Sequence, residues 1–161
     1  MAAPSTSTTG RERLEGYKRA LHTNNLAVRP ELIRSGFPDQ KHSYHFTQEL
    51  LRLAQRPTGL FTGNNLLTEG ALRAIHDQGL RIPEDIALVA FDEMEWMSLI
   101  KPQLTVIAQP NYELGKVAAE LLLQRLENSQ APVREVILEP MLIIRQSCAA
   151  HCNGIGIQVN R

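Results

Sequence analysis

The chain has few of the features that mark the specialised classes of protein. It has only two cysteines in 161 residues, and aromatic residues make up 5% of it. Lysine plus arginine equal aspartate plus glutamate, 17 against 17, so the formal net charge is zero. The neutral charge argues against a DNA-reading or membrane-binding surface in this chain. The two cysteines indicate a reduced intracellular pair, and no apolar run is long enough to span a bilayer.

Motifs of catalysis and of metal binding are missing as well. The sequence contains no GxSxG, HExxH, P-loop or GxGxxG pattern, and no serine sits in a nucleophile-elbow context. Cys148, His151 and Cys152 lie close together, but no fourth ligand stands at a zinc-like spacing. The first 13 residues, MAAPSTSTTGRER, lack the basic and then apolar segments of a secretory signal. We therefore expect neither an enzyme nor a cofactor or metal protein.

The most informative stretch is Pro57–Glu93, which has the pattern strand, polar turn, helix, loop and strand. Its second strand, Ile86–Phe91, is a near-continuous apolar run, which is typical of a parallel strand buried on both faces. Asn64 and Asp92 follow the two strands directly. In an open parallel sheet, ligands bind at the edge formed by the carboxyl ends of the strands. The stretch therefore predicts a recognition site rather than a catalytic one.

The rest of the chain alternates between helical and strand patterns. Thr9-x-x-Glu12 fits a capping box that opens a first helix. The expected helices are Thr9–Asn24, Gln40–Ala54, the segment after Asn65, and Asn111–Glu127, the last with Leu114, Val117, Ala118, Leu121 and Leu122 facing inward. The expected strands are Leu32-Ile33, Leu60-Phe61, Ile86–Phe91, Pro102–Ile107, Val133–Leu138 and Met141–Ile144. This alternation predicts an α/β fold with a parallel sheet flanked by helices.

Three features have two interpretations each. Arg11 and Arg13 lie in the first helical turn, where positive charge opposes the helix dipole, so they either serve another purpose or are simply solvated. Phe37, at a loop tip, either stacks on a ligand ring or plugs its loop onto the core. The loop Glu93–Lys101, with the only tryptophan, Trp96, either offers a partner surface or tucks into the core.

Four segments give the chain a strong resemblance to the LacI/GalR family of transcriptional regulators. They are GRERLEGYKRAL, PTGLFTGNNLLTEGALRAIHDQGLRIPEDIALVAFDE, KPQLTVIAQPNYELGKVAAELLLQRLE and EPMLIIRQS, and they occur in the family's order and spacing. The resemblance implies a periplasmic-binding-protein-like fold of type I, in which two α/β lobes enclose a ligand cleft. It covers residues 1–147 as part of the effector-binding domain, mostly the C-terminal lobe, and leaves 148–161 as an unmatched tail.

The resemblance also implies a site. Arg13 matches the family arginine that hydrogen-bonds the effector, and Asn64 and Asp92 match positions that contact the effector through an amide and a carboxylate. Phe37 falls near the aromatic residue that covers the ligand ring, and Gln109 lies where the chain crosses between lobes. Thr9 is a weaker candidate, because its capping role already explains it.

The implied function is that of a cytoplasmic repressor. A sugar or related metabolite binds between the lobes and biases their arrangement, which controls a DNA-binding headpiece. Glu69 and Ile100 match the surface through which subunits form a homodimer. The alternative is a periplasmic sugar-binding protein that serves an ABC-type transporter.

The match has boundaries and departures. The family's helix-turn-helix domain, most of its first lobe and the opening strand of its second lobe correspond to nothing in residues 1–161. We therefore expect operator DNA to be contacted only through such a headpiece, and this chain alone to fold poorly and bind no operator. Asn65 replaces a common aspartate, and Glu69 occupies a position that is often apolar.

Overall fold

The computed structural model describes residues 7–36 and 39–151, which form a four-stranded sheet flanked by helices. The helices are α1 (Thr8–Thr23), α2 (Gln40–Leu51), α3 (Asn65–Asp77) and α4 (Asn111–Glu127). The strands are β1 (Gly59–Thr62), β2 (Ala87–Phe91), β3 (Thr105–Ala108) and β4 (Met141–Ile143). Short 3-10 helices span Pro30–Leu32, Glu95–Ser98 and Gln146–His151.

The sheet is parallel except at its last strand. Its order is β1-β2-β3-β4, and β1, β2 and β3 run parallel, with Leu60 paired to Leu88 and Ala90 to Val106. β4 pairs antiparallel with β3, as edge strands of otherwise parallel sheets often do. The predicted α/β class is confirmed, and the parallel part places three strand ends at one edge.

Helices α1 and α2 each begin at a side-chain cap, and the sequence predicted a cap only for α1. Ser7, rather than Thr9, caps α1, and its hydroxyl accepts a hydrogen bond from the Gly10 N–H at 3.0 Å. The predicted capping box is wrong, because the chain becomes helical at Thr8 and leaves Thr9 inside the helix. Asp39 caps α2 by accepting a hydrogen bond from the His42 N–H, which lowers the pKa of the Asp39 carboxyl. α2 then ends at Leu51, short of the predicted Ala54.

The end of α3 is a Schellman motif, as the glycine in the sequence predicts. Gly79 has a φ of 65°, in the left-handed region that glycine adopts without strain. Its N–H donates to the His76 carbonyl at 2.8 Å, and the Leu80 N–H donates to the Ile75 carbonyl at 3.1 Å. The chain therefore turns sharply toward β2.

Helices α2 and α3 pack very closely at a glycine. A Cβ atom on Gly70 would lie 2.4 Å from the Gln40 carbonyl oxygen and 2.6 Å from the Ser43 Cβ. At the same crossing the Ser43 hydroxyl donates to the Leu67 carbonyl at 2.5 Å. Only glycine at position 70 allows this approach, which fixes the position of α3 and the turn before it.

The core lies around the two central strands, β2 and β3. Leu88, Ala90 and Val106 are fully buried, and α3 covers them with a face of small and aliphatic residues. Met97, from the 3-10 segment after β2, is also fully buried, and Trp96 packs against the core while partly exposed. The Glu93–Lys101 loop is therefore largely anchored in the core.

The final motif of the sequence ties β2 to β3. The hydroxyl of Ser147, which is fully buried, donates to the Leu88 carbonyl at 2.5 Å and accepts from the Thr105 N–H at 2.8 Å. Arg145 forms an ion pair with Glu93 and donates to the Leu104 carbonyl at 3.1 Å. This segment holds the loop that follows Asp92 in place.

Two predicted strands are wrong. Leu32-Ile33 is not a strand, because Pro30 lies at the start of a 3-10 helix that includes Leu32. Val133–Leu138 has the alternation of a strand but pairs with no strand within residues 7–36 and 39–151. Val133 is 92% exposed and Ile137 81%, so their apolar side chains cover no core in this chain.

Helix α4 has the predicted bounds but not the predicted burial. None of its residues is buried, and Leu122 and Leu126 are 60% and 73% exposed. The predicted inward stripe of Leu114, Val117, Ala118, Leu121 and Leu122 is therefore wrong for this chain. The pattern is amphipathic, but no layer of the described structure lies over its apolar face.

Within the described part of the chain, no helix is both long and apolar enough to cross a membrane. No cluster of three or more His, Cys, Asp or Glu residues that could hold a metal ion occurs there either. Cys152 lies outside the described residues, so the structure does not address the Cys148–His151–Cys152 grouping.

Candidate functional site

The candidate site lies at the carboxyl edge of the three parallel strands. Gly63 and Asn64 follow β1, Asp92 follows β2, and Gln109 follows β3. Because the strands are neighbours and run in the same direction, these residues share one edge of the sheet. Asn64, Asp92 and Gln109, which the sequence singled out, therefore lie on three adjacent strand ends.

Arg13 reaches the same edge from helix α1. Its Nη1 donates to the Gly63 carbonyl at 2.5 Å, and its Cζ lies 3.7 Å from the centroid of the Phe91 ring. A guanidinium at that distance over an aromatic face forms a cation–π contact. No other hydrogen bond or ion pair engages this guanidinium within residues 7–36 and 39–151, so its remaining N–H donors are available.

Asp92 is held by its backbone and by one neighbour. Its φ is 73°, a left-handed conformation that aspartate tolerates better than most residues, and its N–H donates to the Ile107 carbonyl at 3.0 Å. Gln109 Nε2 donates to Asp92 Oδ1 at 2.5 Å. Across the described ranges no partner engages Oδ2, which leaves one carboxylate oxygen as an acceptor for a ligand.

Asn64 has a structural role that already explains its identity. Its Oδ1 caps α3 by accepting from the Leu67 N–H at 2.8 Å, and its carbonyl accepts from the Thr68 hydroxyl at 2.8 Å. The cap turns the side chain toward the helix, but the Nδ2 donors have no partner among the described residues. Asn64 can therefore cap the helix and donate to a ligand at the same time.

A recess of about 340 Å³ opens beside this edge. Arg13, Phe91 and Gln109 contribute to its wall, whereas Asn64 and Asp92 lie outside it. The rest of the wall is formed by Thr9, Glu12, Pro110, Leu114, Leu138 and Pro140. The recess combines guanidinium and amide donors with an aromatic ring and a carboxylate, which is the complement of a small polar molecule.

The sequence did not predict two groups of the candidate site, the Phe91 ring and the Gly63 carbonyl. The apolar run predicts only a core strand position for Phe91, although a residue directly before Asp92 lies at the same strand end. The Gly63 carbonyl carries no signal in the sequence, because any residue supplies a carbonyl. Phe37 lies outside the described residues, so its predicted role keeps the status of a prediction.

The two residues predicted for the dimer interface do not line this recess. Glu69 accepts a hydrogen bond from Gln40 Nε2, and Ile100 is partly buried against the core. Near them the surface is apolar, with Leu66 and Met94 each 39% exposed and Leu99 75% exposed.

Comparisons with known proteins agree with this architecture. The profile of the periplasmic binding protein-like domain matches residues 1–148. The ribose operon repressor of Haemophilus influenzae is 39% identical over 84% of this chain and 41% of its own length. The HTH-type transcriptional repressor PurR of Aliivibrio salmonicida is 33% identical over 86% of this chain and 42% of its own.

A solved structure gives the same result. The LacI family transcriptional regulator of Enterococcus faecium with bound ribose superposes with a TM-score of 0.79 and 31% identity, covering 91% of this chain and 55% of that one. The fold is thus that of a periplasmic-binding-protein-like domain. The chain belongs to the LacI/GalR family, within its effector-binding domain, and it spans about two-fifths of the length of these two repressors.

Proposed function

We propose that this chain is the effector-sensing part of a LacI/GalR-type transcriptional repressor. The relatives are named repressors, and the whole protein would act on operator DNA in the cytoplasm. The chain itself would bind a small molecule and catalyse no reaction. This assigns residues 1–147 to the sensor and leaves 148–161 without a role.

The observation that carries the proposal is the meeting of Arg13 and Asp92 at one strand edge. Arg13 comes from α1 and Asp92 from the end of β2, 79 positions apart in sequence, and both keep unsatisfied polar groups there. A site with a charged donor and a charged acceptor at neighbouring strand ends suits adjacent hydroxyl groups, which both donate and accept.

The effector class we propose is a neutral polyhydroxy molecule such as an aldose sugar. Glu12 joins Asp92 near the recess, so two carboxylates stand against the single guanidinium of Arg13. This balance disfavours an anionic effector, because like charges repel in a partly desolvated site. A ribose repressor and a ribose-bound regulator among the relatives are consistent with a sugar. Phe37 would cover the ring of the effector.

A titration with D-ribose, followed by ¹⁵N–¹H NMR of the purified chain, tests this function. Because the sequence predicts that the chain alone folds poorly, the dispersion of the amide signals in the ligand-free spectrum is checked first. NMR detects the weak binding expected of an open site on one half of a cleft. We expect shifts confined to the strand edge, saturation on titration, and an affinity at least about tenfold weaker in Arg13→Met and Asp92→Asn. Arg29→Met, which replaces a surface arginine paired with Glu31, is the matched control and should bind like the wild type. An affinity that is unchanged in both site variants would overturn the assignment.

We also propose where the rest of the protein attaches. The apolar surface of Leu66, Met94 and Leu99, beside Glu69 and Ile100, would pair two subunits in a homodimer. The exposed leucines of α4 would pack on the first lobe of the complete sensor. Operator DNA would be bound by the part of the whole protein that corresponds to the helix-turn-helix of the PurR-type relative, since this chain has no net positive charge.

A further inference from the structure

We propose that Phe91 is a positioning residue, which holds the Arg13 guanidinium in its effector-binding orientation before the effector arrives. The inference rests on the proposed function, because Arg13 is the effector-binding group through which Phe91 acts. It adds a residue that acts on effector binding through Arg13, and it explains how one flexible side chain contributes to selective binding.

Two contacts restrain the guanidinium in different directions. The Phe91 ring lies under its face, 3.7 Å from Cζ, and sets its height and tilt. The Gly63 carbonyl accepts from Nη1 at 2.5 Å and sets its rotation in the plane. Together they leave the other N–H donors directed away from both contacts. Neither contact alone would fix the orientation of a planar group.

The benefit to binding is a lower entropic cost. A free arginine side chain has several rotatable bonds, and ordering it when a ligand binds costs conformational entropy. In this structure that cost is met during folding. The cation–π contact stabilises the ordered rotamer without using any N–H donor. A second carbonyl or carboxylate would instead occupy one of the donors that the effector needs.

Phe91 is itself well placed to act as a fixed support. It is the last residue of β2, is paired with Ile107 of β3, and is only partly exposed. Strands position functional groups more accurately than loops do. Arg13 lies on the first turns of α1, so the contact also joins that helix to the centre of the sheet.

The first experiment needs no effector. In the ligand-free chain the Arg13 Nε–H proton should be shielded by the Phe91 ring, and its exchange with solvent should be slow. We expect Phe91→Leu to abolish the shielding and to raise that exchange roughly fivefold, in line with the loss of one cation–π contact. Phe91→Tyr should restore both. Phe46→Leu, the same change on the distant helix α2, should alter neither. An unchanged Arg13 signal in Phe91→Leu would overturn the proposal.

The second experiment is a double-mutant cycle on D-ribose binding, with Phe91→Leu, Arg13→Met and the double variant. We expect Phe91→Leu to weaken binding about fivefold to tenfold and to have little further effect once Arg13 is Met. A loss that is the same with and without Arg13 would show a merely structural role and overturn the proposal. If Arg13→Met and Asp92→Asn leave ribose binding intact, the proposed function fails instead, and the Nε–H signal alone decides the role of Phe91.

Discussion

The side-chain amide of Gln109 donates a hydrogen bond to Oδ1 of Asp92 at 2.5 Å, and so links the end of β3 to the end of β2. Pro110 and helix α4 follow Gln109 directly. The carboxylate expected to bind the effector is therefore held by the residue at which the chain leaves the sheet. This relationship makes Gln109 a support for Asp92 as well as a wall of the recess.

The variant Gln109→Glu tests that support. A glutamate cannot donate to Asp92 as an ionised group, and its charge repels the carboxylate. We expect affinity for D-ribose to fall about tenfold, with a small change in melting temperature, because the residue lies at the sheet edge. NMR titration at neutral pH measures the first and thermal unfolding the second. Unchanged affinity would show that Asp92 needs no such partner.

Substitutions at Asn64 can separate its role as the cap of α3 from its proposed contact with the ligand. Asn64→Ser keeps a side-chain oxygen for the Leu67 N–H but removes the amide donors. We expect Asn64→Ser to retain stability and lose D-ribose affinity, whereas Asn64→Ala should also lose about 1 kcal/mol of unfolding free energy. Chemical denaturation and NMR titration report the two properties. Full affinity in Asn64→Ser would confine this residue to a structural role.

The close packing of α2 and α3 at Gly70 predicts that one added methyl group strongly destabilises the fold. Gly70→Ala would place its Cβ 2.4 Å from the Gln40 carbonyl oxygen, so α2 and α3 must move apart. We expect a loss of about 2–3 kcal/mol in unfolding free energy, measured by chemical denaturation. Gly16→Ala on α1 is the control, since nothing lies within 4 Å of its added Cβ. It should gain about 0.5–1 kcal/mol through helix propensity, and equal behaviour of the two variants would refute the close crossing.

The buried hydrogen bonds of Ser147 to β2 and β3 predict that removing its hydroxyl lowers the unfolding free energy. Ser147→Ala leaves the Leu88 carbonyl and the Thr105 N–H without their shared hydroxyl partner. We expect a loss of about 1–3 kcal/mol in unfolding free energy. Ser98→Ala, whose hydroxyl donates to the Glu95 carbonyl in an exposed turn, should change stability by less than about 0.5 kcal/mol. If Ser147→Ala leaves the unfolding free energy unchanged, the bridge through its hydroxyl does not stabilise the fold.

The sequence predicted well wherever local chemistry and tertiary context agree. The strand ends before Asn64 and Asp92 followed from short apolar runs that meet polar residues, and Gly79 ended α3 because its backbone alone favours a positive φ. These signals depend on neighbours along the chain. They are sufficient to place the carboxyl edge of the parallel strands.

Most of the wrong predictions concern features that depend on contacts between segments far apart in the sequence. Val133–Leu138 and the leucines of α4 have the periodicity of buried elements, but no described layer covers them. The Thr9 capping box failed because Ser7 offers an equivalent oxygen two residues earlier. The apolar run predicts only a core position for Phe91, since periodicity cannot show that an arginine from α1 stacks on its ring.

The central claim is that Arg13 and Asp92 together bind a neutral polyhydroxy effector at this strand edge. The most direct measurement is the D-ribose titration of the wild type and of Asp92→Asn, read from the amide signals of residues 63–64, 92 and 109. We predict saturable shifts at these signals in the wild type and a loss of affinity of at least about tenfold in Asp92→Asn. Equal affinity in the two proteins, or shifts located elsewhere on the chain, would contradict the claim.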